Sequence, residues 1–323
     1  MESIGSPGLW VGFLAFVLAM LALDLGVFHR RAHVVGFREA AIWSGVWVGL
    51  AMIFNVYIWQ AFGSQRGIEF LTGYLIEKSL SVDNIFVFVV IFAGLAIPAA
   101  YQHRVLFWGI LSALVMRAIM IFAGSALLDR FHWLIYVFGA FLIVTGIKLF
   151  LHRNHRQRPE DGRVLRLARR VIPSTSRFDG SRFLTIENGR RVATPLLMAL
   201  ILVEVTDVIF AVDSIPAIFA VTRDPFIVFT SNIFAILGLR SLYFLLAGMM
   251  DRFRYLKTGL AAVLVFVGAK MALADAWKVP ALLSLGVILV ILGVAVWASL
   301  RAARGSGAAS AAGHSGGSNR LAS

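Results

Sequence analysis

Apolar runs and their interruptions divide the chain into nine candidate helices. Stretches of roughly 18 or more nearly uncharged residues read as membrane spans. They fall at about 9–28, 41–62, 70–96, 105–127, 132–151, 195–221, 226–249, 256–275 and 280–300. The alternating segments of about ten residues that mark an outer-membrane barrel are absent from this pattern. The first run lacks a basic region before it, contains Asp24 and is followed by basic residues, so it reads as a retained span and not a cleaved leader. The expected fold is therefore an all-α polytopic membrane protein of about nine transmembrane helices.

Composition agrees with that pattern. The chain has 323 residues, 59% of them hydrophobic and only 15% charged, with a mean hydropathy of +0.84. A soluble protein of this size carries about 25% charged residues. The formal charge of +13 would suggest nucleic acid in a soluble chain, but here the loops account for it. With the N-terminus outside, the inner segments hold 21 Lys and Arg against 4 in the outer ones. The positive-inside rule then predicts N-out, C-in, and a multi-pass inner (cell) membrane protein. The Arg-rich loop 152–194 reads as solvated and positive-inside, so no nucleic-acid partner is expected. Within it, Arg163–Val171 suits a short helix lying on the anionic leaflet. Phe183–Val192 suits a hairpin turning at Asn188-Gly189, and Thr194-Pro195 a helix start. The Gly, Ser and Ala tail after Arg304 reads as disordered. There is no cysteine, which removes disulfide, iron–sulfur and thiolate-zinc chemistry.

The two halves share an ordered set of features. Glu77-KSLS-Val82-Asp83-Asn84-Ile85 matches Asp207-VIFA-Val212-Asp213-Ser214-Ile215 at an offset of 130. The run ending in Arg117 matches the run ending in Arg240, at an offset of 123. Asp129-Arg130-Phe131 recurs as Asp251-Arg252-Phe253, and Gly146-Ile-Lys148 as Gly268-Ala-Lys270, at an offset of 122. Each copy holds three spans, and an odd number reverses orientation, so the copies are expected to be inverted. The organisation read from this is two N-terminal spans (1–69), a first three-helix repeat (70–151), the basic cytoplasmic loop (152–194), a second, inverted repeat (195–275), a ninth span (276–304) and the tail (305–323).

The candidate chemistry lies in the matched acids. Glu204, Asp207 and Asp213 fall within ten residues of one apolar segment. Each costs roughly 2.5–3.5 kcal/mol at a helix centre. Such acids are expected to meet a cation. On a straight helix Glu77 and Asp83 are about 120° apart, as are Asp207 and Asp213. One unbroken helix therefore cannot aim all its acids at one point. Pro216 offers a break, because it removes the hydrogen bond to the Val212 carbonyl. The donors are all oxygen: Glu77, Asp83, Asn84, Glu204, Asp207, Asp213, Ser214 and backbone carbonyls. Hard donors of this kind suit Mn²⁺, Ca²⁺ or Mg²⁺. Arg117 and Arg240 are mid-span and read as structural counter-ions, and Asp24 as a helix-end residue. Lys148 and Lys270 lie near span ends and can snorkel. No nucleotide-binding loop or hydrolytic constellation is present, so no enzymatic activity and no prosthetic group is expected.

At these residues the chain resembles the TerC family of integral membrane proteins, named for tellurite resistance. The resemblance covers roughly residues 10–300. Leu23-Asp-Leu-Gly-Val-Phe28, Glu77–Ile85, Asn188–Pro195, Glu204–Pro225 and Phe229–Phe244 carry it. It implies a nine-span relative of the LysE-type exporters, linked to manganese efflux and metal homeostasis. It also implies that Glu77, Asp83, Glu204, Asp207 and Asp213 line an ion pathway. The expectation is a secondary exporter of divalent cations, Mn²⁺ first and Ca²⁺ as an alternative, with proton coupling, working in the lipid bilayer. Two other readings stay open. One is an exporter of an organic, amino-acid-like solute held by Arg117 and Arg240. The other is a non-transporting membrane scaffold in metal or tellurite stress, acting through loop 152–194 on unknown protein partners.

Overall fold

The computed structural model describes residues 3–26, 36–131, 133–151, 172–187, 189–247, 255–273 and 279–315. Described helices are α1 (Pro7–Gly26), α2 (Phe37–Phe62), α3 (Ser64–Gly94), α4 (Ala99–Arg130) and α5 (Leu134–Leu151). A hairpin of β1 (Leu184–Glu187) and β2 (Arg190–Ala193) follows. Then come α6 (Pro195–Phe219), α7 (Pro225–Leu237), α8 (Leu239–Ala247), α9 (Leu256–Ala272) and α10 (Ala281–Ser315).

Each segment read as a span holds helix, but not every helix meets the test of a span alone. Among the described residues α2, α4, α5, α6 and α10 are long and apolar enough to cross a membrane. The pair α7 and α8, bent by 41° at Gly238, makes a sixth. The apolar stretches of α1 and α9 are shorter, Pro7–Ala22 and Thr258–Ala272. Helix α3 carries Arg66, Glu69, Glu77, Lys78 and Asp83, which make it the most charged of the long helices. A lone helix with that load would be expensive in lipid; packed inside a bundle it turns its charges to protein partners.

The distribution of side chains is that of a membrane protein. Val290, Leu282 and Trp297 of α10 and Ile53 of α2 lie more than half exposed. Glu77, Asn84, Arg117 and Asn232 are buried. With hydrocarbon as the outer solvent, helices gain little by hiding apolar groups, and association relies on close packing and buried polar contacts. The seam between α5 and α9 is such a contact. A Cβ at Gly268 would lie 2.6 Å from the Gly139 carbonyl oxygen, and one at Gly146 would lie 2.8 Å from that of Ala261. Backbone therefore touches backbone at both points. As the residue number rises from 139 to 146 on α5, it falls from 268 to 261 on α9, so the two helices are antiparallel.

The same counting gives the direction of the central helices. Asn84 reaches Asp207, and Gly73 packs on Ile218, so α3 and α6 run antiparallel. Gly109 packs on Val203, and Gly124 on Phe219, so α4 and α6 run parallel. The junction of α2 and α3 is one residue, Gly63, at φ 92 and ψ 166. Only glycine adopts that region without strain, which permits the tight reversal.

Several local expectations meet the coordinates directly. The hairpin is present, with Leu184 paired to Ala193, Glu187 to Arg190, and Gly189 at φ 73 in the turn. Thr194 and Pro195 start α6, but the Thr194 hydroxyl does not cap it. It donates instead to the carbonyls of Arg182 and Phe183, tying the hairpin to the helix. The break expected at Pro216 does not occur: α6 stays helical through Phe219. Pro216 withholds a donor from the Val212 carbonyl one turn earlier, yet the helix carries on for a further turn. The bend falls one helix later, at Gly238. Helix α10 continues to Ser315, into the segment read as a disordered tail. The amphipathic segment Arg163–Val171 and the Asp251-Arg252-Phe253 member of the repeat lie outside the described residues.

Candidate functional site

Two seven-residue ladders form the centre. On α3, Glu77, Ser81 and Asn84 are spaced i, i+4, i+7 and so share one face. All three are buried, with at most 2% exposure. On α6, Asp207 and Ser214 are likewise seven apart and buried. Asn84 Nδ2 donates to Asp207 Oδ1 at 3.4 Å. The antiparallel register set by that contact and by Gly73 on Ile218 puts Glu77 level with Ser214. The two carboxylates therefore start about 10 Å apart along the helix axes.

Arg117 of α4 spans that gap. Its Nη2 donates to Asp207 Oδ1 at 2.8 Å and its Nε to Asp207 Oδ2 at 3.2 Å. Its Nη1 donates to Glu77 Oε1 and, at 3.2 Å, to Asn232 Oδ1 of α7. At 1% exposure it is among the largest fully buried side chains. Buried ions each cost several kcal/mol of lost hydration, which only good geometry and full hydrogen bonding offset. The planar fork meets Asp207 with two bonds, the arrangement that best repays that cost. Two carboxylates and one guanidinium leave the triad one negative charge in excess.

Several oxygens around this triad have no hydrogen-bond partner among the described residues. They are Glu77 Oε2, Ser81 Oγ, Asn84 Oδ1 and Ser214 Oγ, all buried. An unmet buried polar atom costs about 1–3 kcal/mol. Four near one ladder pair make a set of acceptors suited to a hard cation or to water.

The remaining acids of α6 point elsewhere. Glu204 accepts a hydrogen bond from Ser112 Oγ of α4. Asp213 accepts one from Thr145 Oγ1 of α5 at 3.3 Å and is only half-buried. Glu204 and Asp207, three residues apart, both face α4, whereas Asp213 faces α5. Among the described residues no three of His, Cys, Asp and Glu come together. Asp83 lies on α3 and Asp24 on α1; their side chains are outside the description. Lys78, next to Glu77, turns away and donates to the Ala235 carbonyl at 3.2 Å. That carbonyl belongs to the last turn of α7, where the break at Gly238 leaves acceptors unfilled. Arg240 is buried just beyond the same break.

The residues that sequence reasoning missed are the partners: Ser112, Thr145, Asn232 and Ser81. Small hydroxyls and an amide in apolar helices are common, and nothing in the linear pattern separates these from others. Ser81, at i+4 from Glu77, was the one that spacing could have found.

With this geometry in place, comparison with known proteins is informative. The Integral membrane protein TerC family matches residues 62–306. The chain belongs to the TerC family. An uncharacterized membrane protein of Myxococcus xanthus is 70% identical, over 92% of this chain and 93% of that protein. A protein of Escherichia coli K12 bearing the name "Putative membrane-bound redox modulator Alx" is 50% identical, over 90% and 94%. An uncharacterized membrane protein of Rickettsia bellii is 40% identical, over 90% and 96%. No solved structure matches the chain. The TerC match spans the whole central bundle, from the end of α2 into α10, and identifies the chain as a multi-pass integral membrane protein.

Proposed function

We propose that this TerC family protein is a secondary transporter that exports divalent metal cations, with Mn²⁺ the expected ion and Ca²⁺ the alternative. The observation that carries the reading is the set of unmet oxygens on Glu77, Ser81, Asn84 and Ser214 beside two buried carboxylates. Donors of this kind, without sulfur or imidazole, match a hard cation. The ion is cargo, bound transiently, and neither a prosthetic group nor an enzymatic step is invoked.

Alternating access follows from the repeat. Helices α3 and α6, which carry matching acids, run antiparallel, and so do α5 and α9. The offset of 122 exchanges the two backbone contacts of the α5–α9 seam, turning Gly139–Gly268 into Ala261–Gly146. The offset of 130 turns the level pair Glu77–Ser214 into Asp207–Asn84. Both exchanges support inverted repeats about a midplane axis, an arrangement that rocks between inward- and outward-open states. With N-out, C-in topology in the inner membrane, Glu204 lies on the cytoplasmic side of the triad and Asp83, level with residue 208, lies beside its inner end at Asp207. Asp213, one residue from the level of Glu77, lies beside its outer end. An exported ion would pass from the first pair to the triad and leave by Asp213, where protonation from outside would favour release.

One observation weighs against the organic-solute alternative. The Arg117 guanidinium is engaged by Glu77, Asp207 and Asn232, which leaves no fork for a substrate carboxylate. The redox role in the name of the relatives cannot rest on thiols in this chain, which has no cysteine; ion transport would serve it indirectly.

Uptake into proteoliposomes tests the reading. Asp83→Ala and Asp213→Ala should lose Mn²⁺ transport, and parent-like uptake by both would remove the proposed pathway. Thermal stabilisation of the parent protein by Mn²⁺, Ca²⁺, Mg²⁺ and Zn²⁺ tests binding, because a ligand of the native state raises the melting temperature with concentration.

A further inference from the structure

The charge balance of the central triad supports one more step, which rests on the reading of this site as a divalent-cation site. We infer that Arg117 is the site's resident cation, holding Glu77 and Asp207 together when no metal is present and giving up Glu77 when a divalent cation enters.

Three observations carry it. First, both carboxylates that a metal would need are already bound by one guanidinium. The triad has only one negative charge in excess. A divalent ion added with Arg117 unmoved would invert that charge and place two cations side by side in a buried site, where their repulsion is poorly screened. Second, the hold is uneven. Asp207 is gripped by Nε and Nη2 together, whereas Glu77 meets Nη1 alone, shared with Asn232 Oδ1. Third, unmet acceptors wait on the weaker side. Glu77 Oε2 is unmet, as are Ser214 Oγ level with it and Ser81 Oγ one turn along the same helix face. An incoming ion finds its first oxygens there and competes with Arg117 for Glu77, while the two-bond contact to Asp207 keeps the guanidinium in place.

The exchange gives Arg117 a part in transport beyond packing. With the metal gone, the guanidinium bridges both acids and offsets one of their two charges, so the empty carrier can return without two bare carboxylates in the bundle. Ion entry and the α4 contact to α3 are then alternatives, and occupancy changes which helices are tied together.

Mn²⁺ binding to the purified full-length protein, read by calorimetry and thermal stabilisation, tests this with Arg117→Gln and Arg117→Lys. Removing the competitor should tighten Mn²⁺ binding by roughly 5–150-fold in Arg117→Gln, the usual range of coupling between two ligands. Lysine, a single point charge without the fork, should tighten it by a smaller factor. Transport in proteoliposomes should move the other way, falling in Arg117→Gln and partly recovering in Arg117→Lys. A purely structural arginine predicts weaker binding in both variants, and that result overturns the inference. If Arg117→Gln does not fold, Arg117→Lys decides alone: Mn²⁺ affinity equal to or below the parent's refutes the exchange. If the parent protein itself binds no divalent cation, the functional reading has failed, a result distinct from either variant outcome.

Discussion

The α5–α9 seam gives the sharpest stability prediction, because backbone meets backbone there and neither side can step aside. In Gly268→Ala the added Cβ would lie 2.6 Å from the Gly139 carbonyl oxygen, and 2.9 Å from both the Ile143 nitrogen and its Cγ1. Ordinary contact begins at 3.4 Å, so the helices must part by about 0.8 Å along that line. Overpacking of this kind costs about 1–3 kcal/mol. Against it stands the helix propensity gained on replacing glycine with alanine, about 0.8–1.0 kcal/mol. Those two ranges leave a net loss of about 0–2 kcal/mol, about 1 kcal/mol at the middle. Gly293→Ala on α10 is the matched control, since a Cβ there meets nothing within 4 Å. It should show the propensity gain alone and stabilise the protein by about 0.5–1 kcal/mol. The assay is reversible unfolding of the full-length protein in mixed dodecylmaltoside and dodecyl sulfate micelles, followed by circular dichroism. The two substitutions should shift the midpoint in opposite directions. Gly268→Ala as stable as the parent would mean that the seam is not closely packed, and the antiparallel register argued from it would fall.

In metal-free buffer, Arg117→Gln should lose about 3–5 kcal/mol, because removing one member of a buried ion network leaves charge uncompensated. The triple variant Glu77→Gln, Asp207→Asn, Arg117→Gln should regain most of that loss, and a triple variant no more stable than the single one would contradict the triad. Asp224 accepts from Phe226 N at the start of α7 and from Ser3 Oγ and Ile4 N of the N-terminal segment. Asp224→Ala should cost about 0.5–2 kcal/mol as a lost cap. It should also raise amide exchange and protease cleavage before Pro7; unchanged exchange at Ile4 would show that the tether is not held. Gly63→Ala places a side chain at φ 92, ψ 166 and should cost about 1–3 kcal/mol in the same micelle titration, whereas a neutral result would mean that the α2–α3 turn adopts another conformation.

Much of the site was legible in the chain because its pattern is periodic and repeated. The acids Glu77, Asp83, Asp207 and Asp213 stand out against an apolar background, and the offset of 130 pairs Glu77 with Asp207 and Asp83 with Asp213. The hairpin at Phe183–Val192 followed from Asn188-Gly189, a local signal that local structure obeys. Pro216 shows where local reasoning stops. Its missing N–H and its ring act on the Val212 carbonyl in the preceding turn, yet α6 stays helical through Phe219. The 41° bend appears at Gly238 instead, with the Lys78 ammonium on the freed carbonyl of Ala235. No rule on sequence neighbours could supply a lysine from another helix.

The sequence by itself determined the class of the protein and the inventory of its chemistry. Hydrophobic runs dictate helices in a membrane because unpaired backbone cannot exist in hydrocarbon, and oxygen-only donors in a chain without cysteine limit the ions that could bind. Only the tertiary structure decided which of those donors meet. The helical step of 100° keeps Glu204 and Asp207 on the α4 side and turns Asp213 toward α5, and the partner of each depends on how α3, α4 and α5 pack around α6. Arg117 illustrates the difference: its place in the sequence marked it as a counter-ion, but that it joins Glu77 to Asp207 across the two halves follows from packing alone.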